Sequence, residues 1–254
     1  MDKVLVYLSI LYKGNWDKIY DHILTKKEID KKDMEEKLEH YNGKYISLLN
    51  PNYPAKLKNI FKPPFVLFYE GDINLLNDSS KKIAVIGSRN NSEYGKIITK
   101  TLCKNLVMNK EVIILSGLAR GIDAIAHKTC IENDGKTIAV LGNGLNIIYP
   151  KENLDLYKLI KEKGLIISEY PLDVLPDASN FPKRNRIIAG LCDCLVVTEA
   201  KIKSGTMNTV SHALEDGKQI FCVPDKINNN SGCNKLIKEG AFLIESAEDI
   251  LNQL

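Results

Sequence analysis

The chain has 254 residues, 44% of them hydrophobic and 26% charged, with a net charge of +3. This composition supports a packed core and excludes a disordered chain, and no apolar run reaches the roughly 18 residues that a bilayer span needs. The small net charge also excludes a global positive field for holding a polyanion, so any anion site has to be local and geometric.

The opening stretch MDKVLVYLSILYKGNWDK sets Asp2 before a short apolar run and carries no small-residue cleavage pattern. A cytoplasmic protein without membrane association is expected. KEIDKKDMEEKLEHY reads as a charged helix, and residues 1–44 as a small helical appendage. Residues 45–80 are Pro-punctuated and read as a lead-in segment with a strand at PFVLFYEG.

From residue 81 the pattern becomes regular. KKIAVIG (81–87), EVIILSG (111–117) and KTIAVLG (136–142) are short apolar runs, each ending in glycine. GLIISEY (164–170), DCLVVTEA (193–200) and KQIFCVP (218–224) continue the series. Helical spacing follows at 93–109, 121–133, 152–163, 205–217 and 230–239. Strands that are apolar throughout fit a sheet covered on both faces. Strand, loop and helix in succession predict an α/β, doubly wound, mostly parallel sheet over residues 45–254.

In such a sheet ligands bind beyond the carboxyl ends of the strands, and three loops expected there are rich in donors. GSRN offers Gly87, Ser88, Arg89 and Asn90; SGLARG offers Ser116, Gly117 and Arg120; SGT offers Ser204, Gly205 and Thr206. A helix start after a strand presents free N–H groups to an anion, and Arg adds a fork that matches phosphate. The chain has 35 basic residues, of which only Arg89, Arg120, Arg184 and Arg186 are arginine. All four lie in or beside such loops, two of them with Lys183 and Asn185 in FPKRNR (181–186). On a regular helix Arg184 and Arg186 would point about 200° apart. Lys183 and Arg184 are therefore expected to face the ligand, with Arg186 as a brace.

Other residues have plainer roles. Asp123 and His127 are spaced for an i, i+4 hydrogen bond, and Glu169 and Glu199 are placed to orient arginines across the crevice. Tyr149, Tyr170 and Phe181 flank the loops as packing residues that could also stack on bases. The six Cys lack ligand spacing and read as buried thiols, so neither a metal nor a cofactor is expected.

GSRNNSEYG, SGLARGIDAIAH, TIAVLGNGLNIIYP, SEYP, FPKRNRIIAG, VVTEAKIKSGT and GCNKLIKEGA, in this order, resemble the DNA-processing protein A (DprA/Smf) family. The likeness runs from about residue 45 to 250 and includes the lead-in LLNPNYPAKL and PPFVLFYEGD. It implies an extended Rossmann-like domain that binds single-stranded DNA and loads the RecA recombinase onto it. Such proteins act in natural transformation and typically as homodimers, with no catalytic activity or cofactor assigned to the fold. By position, Arg89 and the basic residues of FPKRNR would line the DNA pocket, and Ser88, Ser116, Gly117 and Arg120 would form its phosphate-facing wall. If four Arg and one or two Lys met phosphates, the salt slope on a single strand would be roughly −3 to −4.

Departures from the pattern are Asp225 for the usual Gly, Cys233 for Thr and Val210 for Ala. Many members also continue into a winged-helix-like domain, whereas this sequence ends at ESAEDILNQL. The rival is a nucleotide phosphoribohydrolase of the lysine decarboxylase-like type. Its PGGxGTxxE loop corresponds to SGTMNTVSHALE, which has no Glu at the matching spacing.

Overall fold

A computed structural model describes residues 1–109, 111–227 and 230–254. In chain order the elements are α1 (Asp2–Leu11), α2 (Trp16–Leu24), α3 (Lys31–Glu39), β1 (Lys44–Ser47), α4 (Ala55–Lys58), β2 (Val66–Gly71), β3 (Lys81–Gly87) and α5 (Glu93–Met108). They continue with β4 (Val112–Ser116), α6 (Ile122–Glu132), β5 (Lys136–Leu141), α7 (Leu154–Lys163), β6 (Leu165–Ser168) and α8 (Asn180–Leu191). The last are β7 (Cys194–Glu199), α9 (Gly205–Glu215), β8 (Gln219–Cys222), α10 (Gly232–Lys238), β9 (Phe242–Leu243) and α11 (Glu248–Leu251).

The strands form one sheet in the order β1-β2-β6-β5-β4-β3-β7-β8-β9. From β6 to β9 every pairing is parallel, while β1–β2 and β2–β6 are antiparallel. The doubly wound, mostly parallel sheet expected from the sequence is therefore present. Each of the six apolar runs from residue 81 onward contains a strand. Two strands went unread: β1, an ordinary-looking stretch of four residues, and β9, only two residues long.

The strands are apolar throughout because they bury residues on both sides. Ala84, Ile86, Ile113, Leu115, Ile138 and Val140 belong to one core with residues of α8 and α9. Their neighbours Ile83, Val85, Val112 and Ile114 belong to a second core with residues of α5 and α6. Each buried branched side chain is worth about 1.5–3 kcal/mol relative to exposure. The N-terminal helices join this body: Leu5 and Val6 of α1 pack with Val66 and Phe68 of β2 and Ile166 of β6. A smaller cluster of Tyr7, Leu8 and Ile19 holds α1 and α2 together.

The six cysteines are all buried free thiols. Among the described residues no group of His, Cys, Asp and Glu is arranged to hold a metal ion, and no helix is long and apolar enough to cross a membrane.

Asp193, in the turn between α8 and β7, ties the lead-in segment to the sheet. Its carboxylate accepts the Lys82 N–H at 2.8 Å and Lys56 Nζ at 2.6 Å. Burial pushes its pKa up, but Lys56 and the Lys82 amide outweigh that and hold it below the ordinary value. A depressed folded pKa gives stability that is present above the unfolded pKa and lost as pH falls through the folded one. Asp193→Ala should cost about 1–3 kcal/mol by leaving the Lys82 N–H unpaired. Denaturant melts at neutral and acid pH should show this deficit shrinking as the wild-type carboxylate protonates.

Candidate nucleic-acid interface

The sheet grows from β3 through β4 and β5 to β6, then returns to the other side of β3 with β7. The connections leaving β3 and β7 therefore diverge, and the carboxyl ends of these two strands open a crevice. A cavity of about 530 Å³ lies there. Gly87, Ser88, Arg89 and Asn90 line it from the end of β3, and Ser204, Gly205 and Thr206 from the start of α9. Arg184 and Asn185 line it from α8. These nine were singled out from sequence, and the fold brings them to one place.

Glycine is required where the loops crowd. Gly121, at φ +72°, stands just before α6, and a Cβ there would lie 2.2 Å from Ser88 O. The Ile122 N–H donates to the same carbonyl at 3.1 Å, fixing the GSRN loop against α6. Thr206 Oγ1 donates to Gly87 O at 3.1 Å, which fixes the loop from the α9 side.

FPKRNR lies wholly inside α8, which begins at Asn180, two residues ahead of Pro182. Proline is tolerated in a first helical turn because the N–H it lacks has no intrahelical partner there. A continuous helix sends the two arginines apart, as its periodicity requires. Arg184 is 3% exposed, and its guanidinium donates to Gly117 O at 2.8 Å and to Val140 O. Arg186 is 6% exposed and donates to Glu169 Oε1 at 2.6 Å, to Lys62 O and to Lys183 O. Arg186 is thus committed to Glu169 and two main-chain carbonyls and does not line this cavity. Arg184 reaches the cavity from beneath, with its donors largely committed to main-chain carbonyls.

Burial lowers the Arg184 pKa to about 10, and nearby Arg89 adds to the effect, so the group stays charged at neutral pH. Asp123 lines the same wall; burial raises its pKa against the opposing pull of Arg184 and Arg89. The expected Asp123–His127 bond is not made. Asp123 accepts the Ala119 N–H at 3.4 Å, while His127 Nδ1 lies 2.7 Å from Thr137 Oγ1. Burial and Arg184 together push the His127 pKa down to about 3, leaving a neutral packing residue.

Arg89 is exposed at the cavity mouth, with its guanidinium carbon 5.4 Å from the Phe181 ring centre. Tyr149 approaches the same ring at 5.6 Å, so an aromatic pair and a cation share the rim. Lys201 and Asp123 are cavity residues the sequence reading did not select for this site. Both lie within the motif stretches VVTEAKIKSGT and SGLARGIDAIAH, but only the strand order shows that they line this cavity.

The remaining candidates lie elsewhere. Ser116 is buried, and its Oγ donates to Val85 O at 2.7 Å. Gly117 lies under the Arg184 guanidinium, whose atoms a Cβ would meet at 2.6–2.8 Å. Arg120 is exposed and pairs with Glu152. Lys183 and Arg186 line a larger neighbouring cavity. Glu199, expected to orient an arginine, instead accepts the Ser92 N–H and hydroxyl and so fixes the start of α5. A carboxylate is stabilising at that helix end.

Comparison with known proteins agrees with this architecture. The family model of DNA recombination-mediator protein A matches residues 44–254. DNA processing protein DprA of Streptococcus pneumoniae is 43% identical over 208 residues, covering 81% of this chain and 72% of its own length. Its X-ray structure superposes with a TM-score of 0.82 at 38% identity, over 94% of this chain and 80% of that one. Protein Smf of Escherichia coli is 43% identical over 220 residues, which is 85% of this chain but only 58% of Smf. A structure of DNA processing protein A from Helicobacter pylori, described for its single-stranded DNA binding mode, gives a TM-score of 0.75 at 33% identity over 84% of this chain and 96% of that one. A doubly wound sheet with GSRN at its switch point and FPKRNR crossing beneath, matched over nearly all of its length beyond residue 43, makes this chain a member of the DNA recombination-mediator protein A family.

Proposed function

We propose that this protein is a recombination mediator that binds single-stranded DNA at the switch-point cavity and hands the strand to the RecA recombinase. The observation that carries the reading is the exposed Arg89 guanidinium over Phe181, at the mouth of a cavity floored by buried Arg184. A cation beside an aromatic ring suits a phosphate followed by an unstacked base. The Ser88 hydroxyl and the main-chain N–H groups of Gly205 and Thr206 at the start of α9 line the same cavity and suit phosphate oxygens. The single-stranded DNA bound by the Helicobacter pylori relative supports the same ligand here. Contacts of this kind follow backbone and ring faces, so little base specificity is expected. RecA as partner, action as a homodimer and the absence of catalysis belong to this proposal, and rest on the family.

The geometry lowers the number of phosphate contacts from the five or six suggested by sequence. Arg186 is engaged by Glu169, Arg120 by Glu152, and Arg184 by main-chain carbonyls. Arg89, Lys183 and Lys201 remain at or beside the switch-point cavity, and three contacts on a single strand give a slope of log K against log[salt] of about −2. A slope near −4 with an oligo-dT too short to reach beyond this cavity would mean that the buried arginines are drawn out to the strand.

Arg89→Ala should weaken oligo-dT binding by about tenfold to a hundredfold, the cost of one charge-assisted contact. Its melting temperature should not change, because the side chain is exposed. Normal binding by this variant would remove the assignment. Gly117→Ala should behave differently. Its Cβ would collide with the buried Arg184 guanidinium, so both a stability loss of about 1–3 kcal/mol and weaker DNA binding are expected. Thermal melts and the same titration separate the two variants.

A further inference from the structure

A second, larger cavity of about 1680 Å³ lies beside the first, between the N-terminal helices and the start of α8. It exceeds the roughly 300–1,000 Å³ of ordinary small-molecule pockets. Pro176 and Pro182 line both cavities, so the two meet across the 176–182 ridge. The neighbouring residues Lys183 and Arg184 of α8 face one cavity each.

Six basic side chains line it against five acidic ones, a small positive excess. Glu169 is paired with Arg186 and Asp17 with Lys62, while Asp173 and Asp177 are hydrogen-bonded to the neutral Asn146 and Ser179 and keep their charge. Glu36 is exposed as well. Beside these acids stand Lys13, Lys18 and Lys183, exposed and without a close ion pair among the described residues, with Lys183 near enough to Asp177 to add to the Ser179 bonds in lowering its pKa. Lys13 and Lys18 flank the turn into α2, whose N-cap Asn15 holds the Lys18 N–H at 3.1 Å.

Aromatic surface accompanies this charge. Phe61 lines the cavity with 71% of its surface exposed, an unusual exposure for phenylalanine. Lys62 Nζ sits 5.4 Å from the Phe61 ring centre and 5.3 Å from that of Trp16. Trp16 is held in place by Tyr20 and Phe65 and by its bond to Pro63 O. Unpaired lysines interleaved with an open aromatic face are what a sequence-tolerant single-strand site needs.

We propose that the larger cavity carries single-stranded DNA onward from the switch-point cavity, over the 176–182 ridge. Phosphates run along Lys183, Lys18 and Lys13, and Phe61 serves as a base platform. The N-terminal helices are then one wall of the DNA path. This inference rests on the switch-point cavity being the primary DNA site.

Trp16 is the chain's single tryptophan, so its emission reports on the larger cavity directly. The test is a titration with labelled oligo-dT from about 4 to about 20 nucleotides, bracketing the site sizes of single folds. Anisotropy follows total binding, and Trp16 emission follows occupancy of the second cavity. The shortest strands should raise anisotropy without altering Trp16 emission, and longer ones should alter both. Lys13→Ala/Lys18→Ala and Phe61→Ala, all at exposed positions, should each weaken the longest strand about tenfold and leave the shortest unchanged. Wild-type affinity of these variants at every length, with Trp16 emission unmoved while Arg89→Ala weakens all strands, overturns the second cavity and leaves the first intact. Normal binding of every length by Arg89→Ala overturns the primary site and this extension with it.

Discussion

A guanidinium almost closed to water sits at the centre of this molecule. Arg184 donates from α8 to the carbonyls of Gly117 and Val140, at the ends of β4 and β5. These bonds pin a helix across the carboxyl edge of the sheet, where a parallel sheet leaves its strand-end carbonyls without sheet partners. Replacing water at a buried charge requires several fixed acceptors at once. Those acceptors exist only because Gly117 has no side chain to hold the guanidinium off. The position of Phe181, Lys183 and Asn185 follows from that anchor, since all three share its helix.

Two residues further on, Arg186 makes the complementary arrangement. Its pairing with Glu169 and with the Lys62 carbonyl ties α8 to the end of β6 and to the lead-in segment. One helix thus carries two buried cations in opposite directions, each neutralised differently. Arg184 is held by main-chain carbonyls, with the Asp123 carboxyl interacting with it from the same cavity wall. Arg186 has a full carboxylate partner, and its charge is spent on architecture. Chemical identity of the two side chains gave no hint of this division of labour.

The N-terminal helices bear on the same question of what a binding surface includes. Leu5 and Val6 bury themselves against β2 and β6, so α1 extends the core. The α1–α2 turn and the first turn of α2 then bring Lys13 and Lys18 to the larger cavity. A segment that looks like an accessory in the sequence shares a wall with the body of the protein.

What the sequence determined by itself was the local alphabet. Apolar runs with buried neighbours on both faces specify parallel strands, because each residue along them must meet a helix. Glycine, serine and arginine at the run ends mark tight, donor-rich turns, and helical periodicity alone separated Arg184 from Arg186. Strand order lay outside that reach, since it depends on pairings between residues far apart in the chain. It was the placement of β7 beside β3 that brought Ser204, Thr206 and Lys201 to Arg89, and that of β4 on the other side that added Asp123 from α6, while Arg120 turned away to Glu152. Burial was equally illegible: Ser116, Gly117 and Arg184 read as ligand groups until packing committed them to Val85 and to one another. Donor type is written in each residue, but whether a donor faces ligand or carbonyl is settled only when the chain has closed around it.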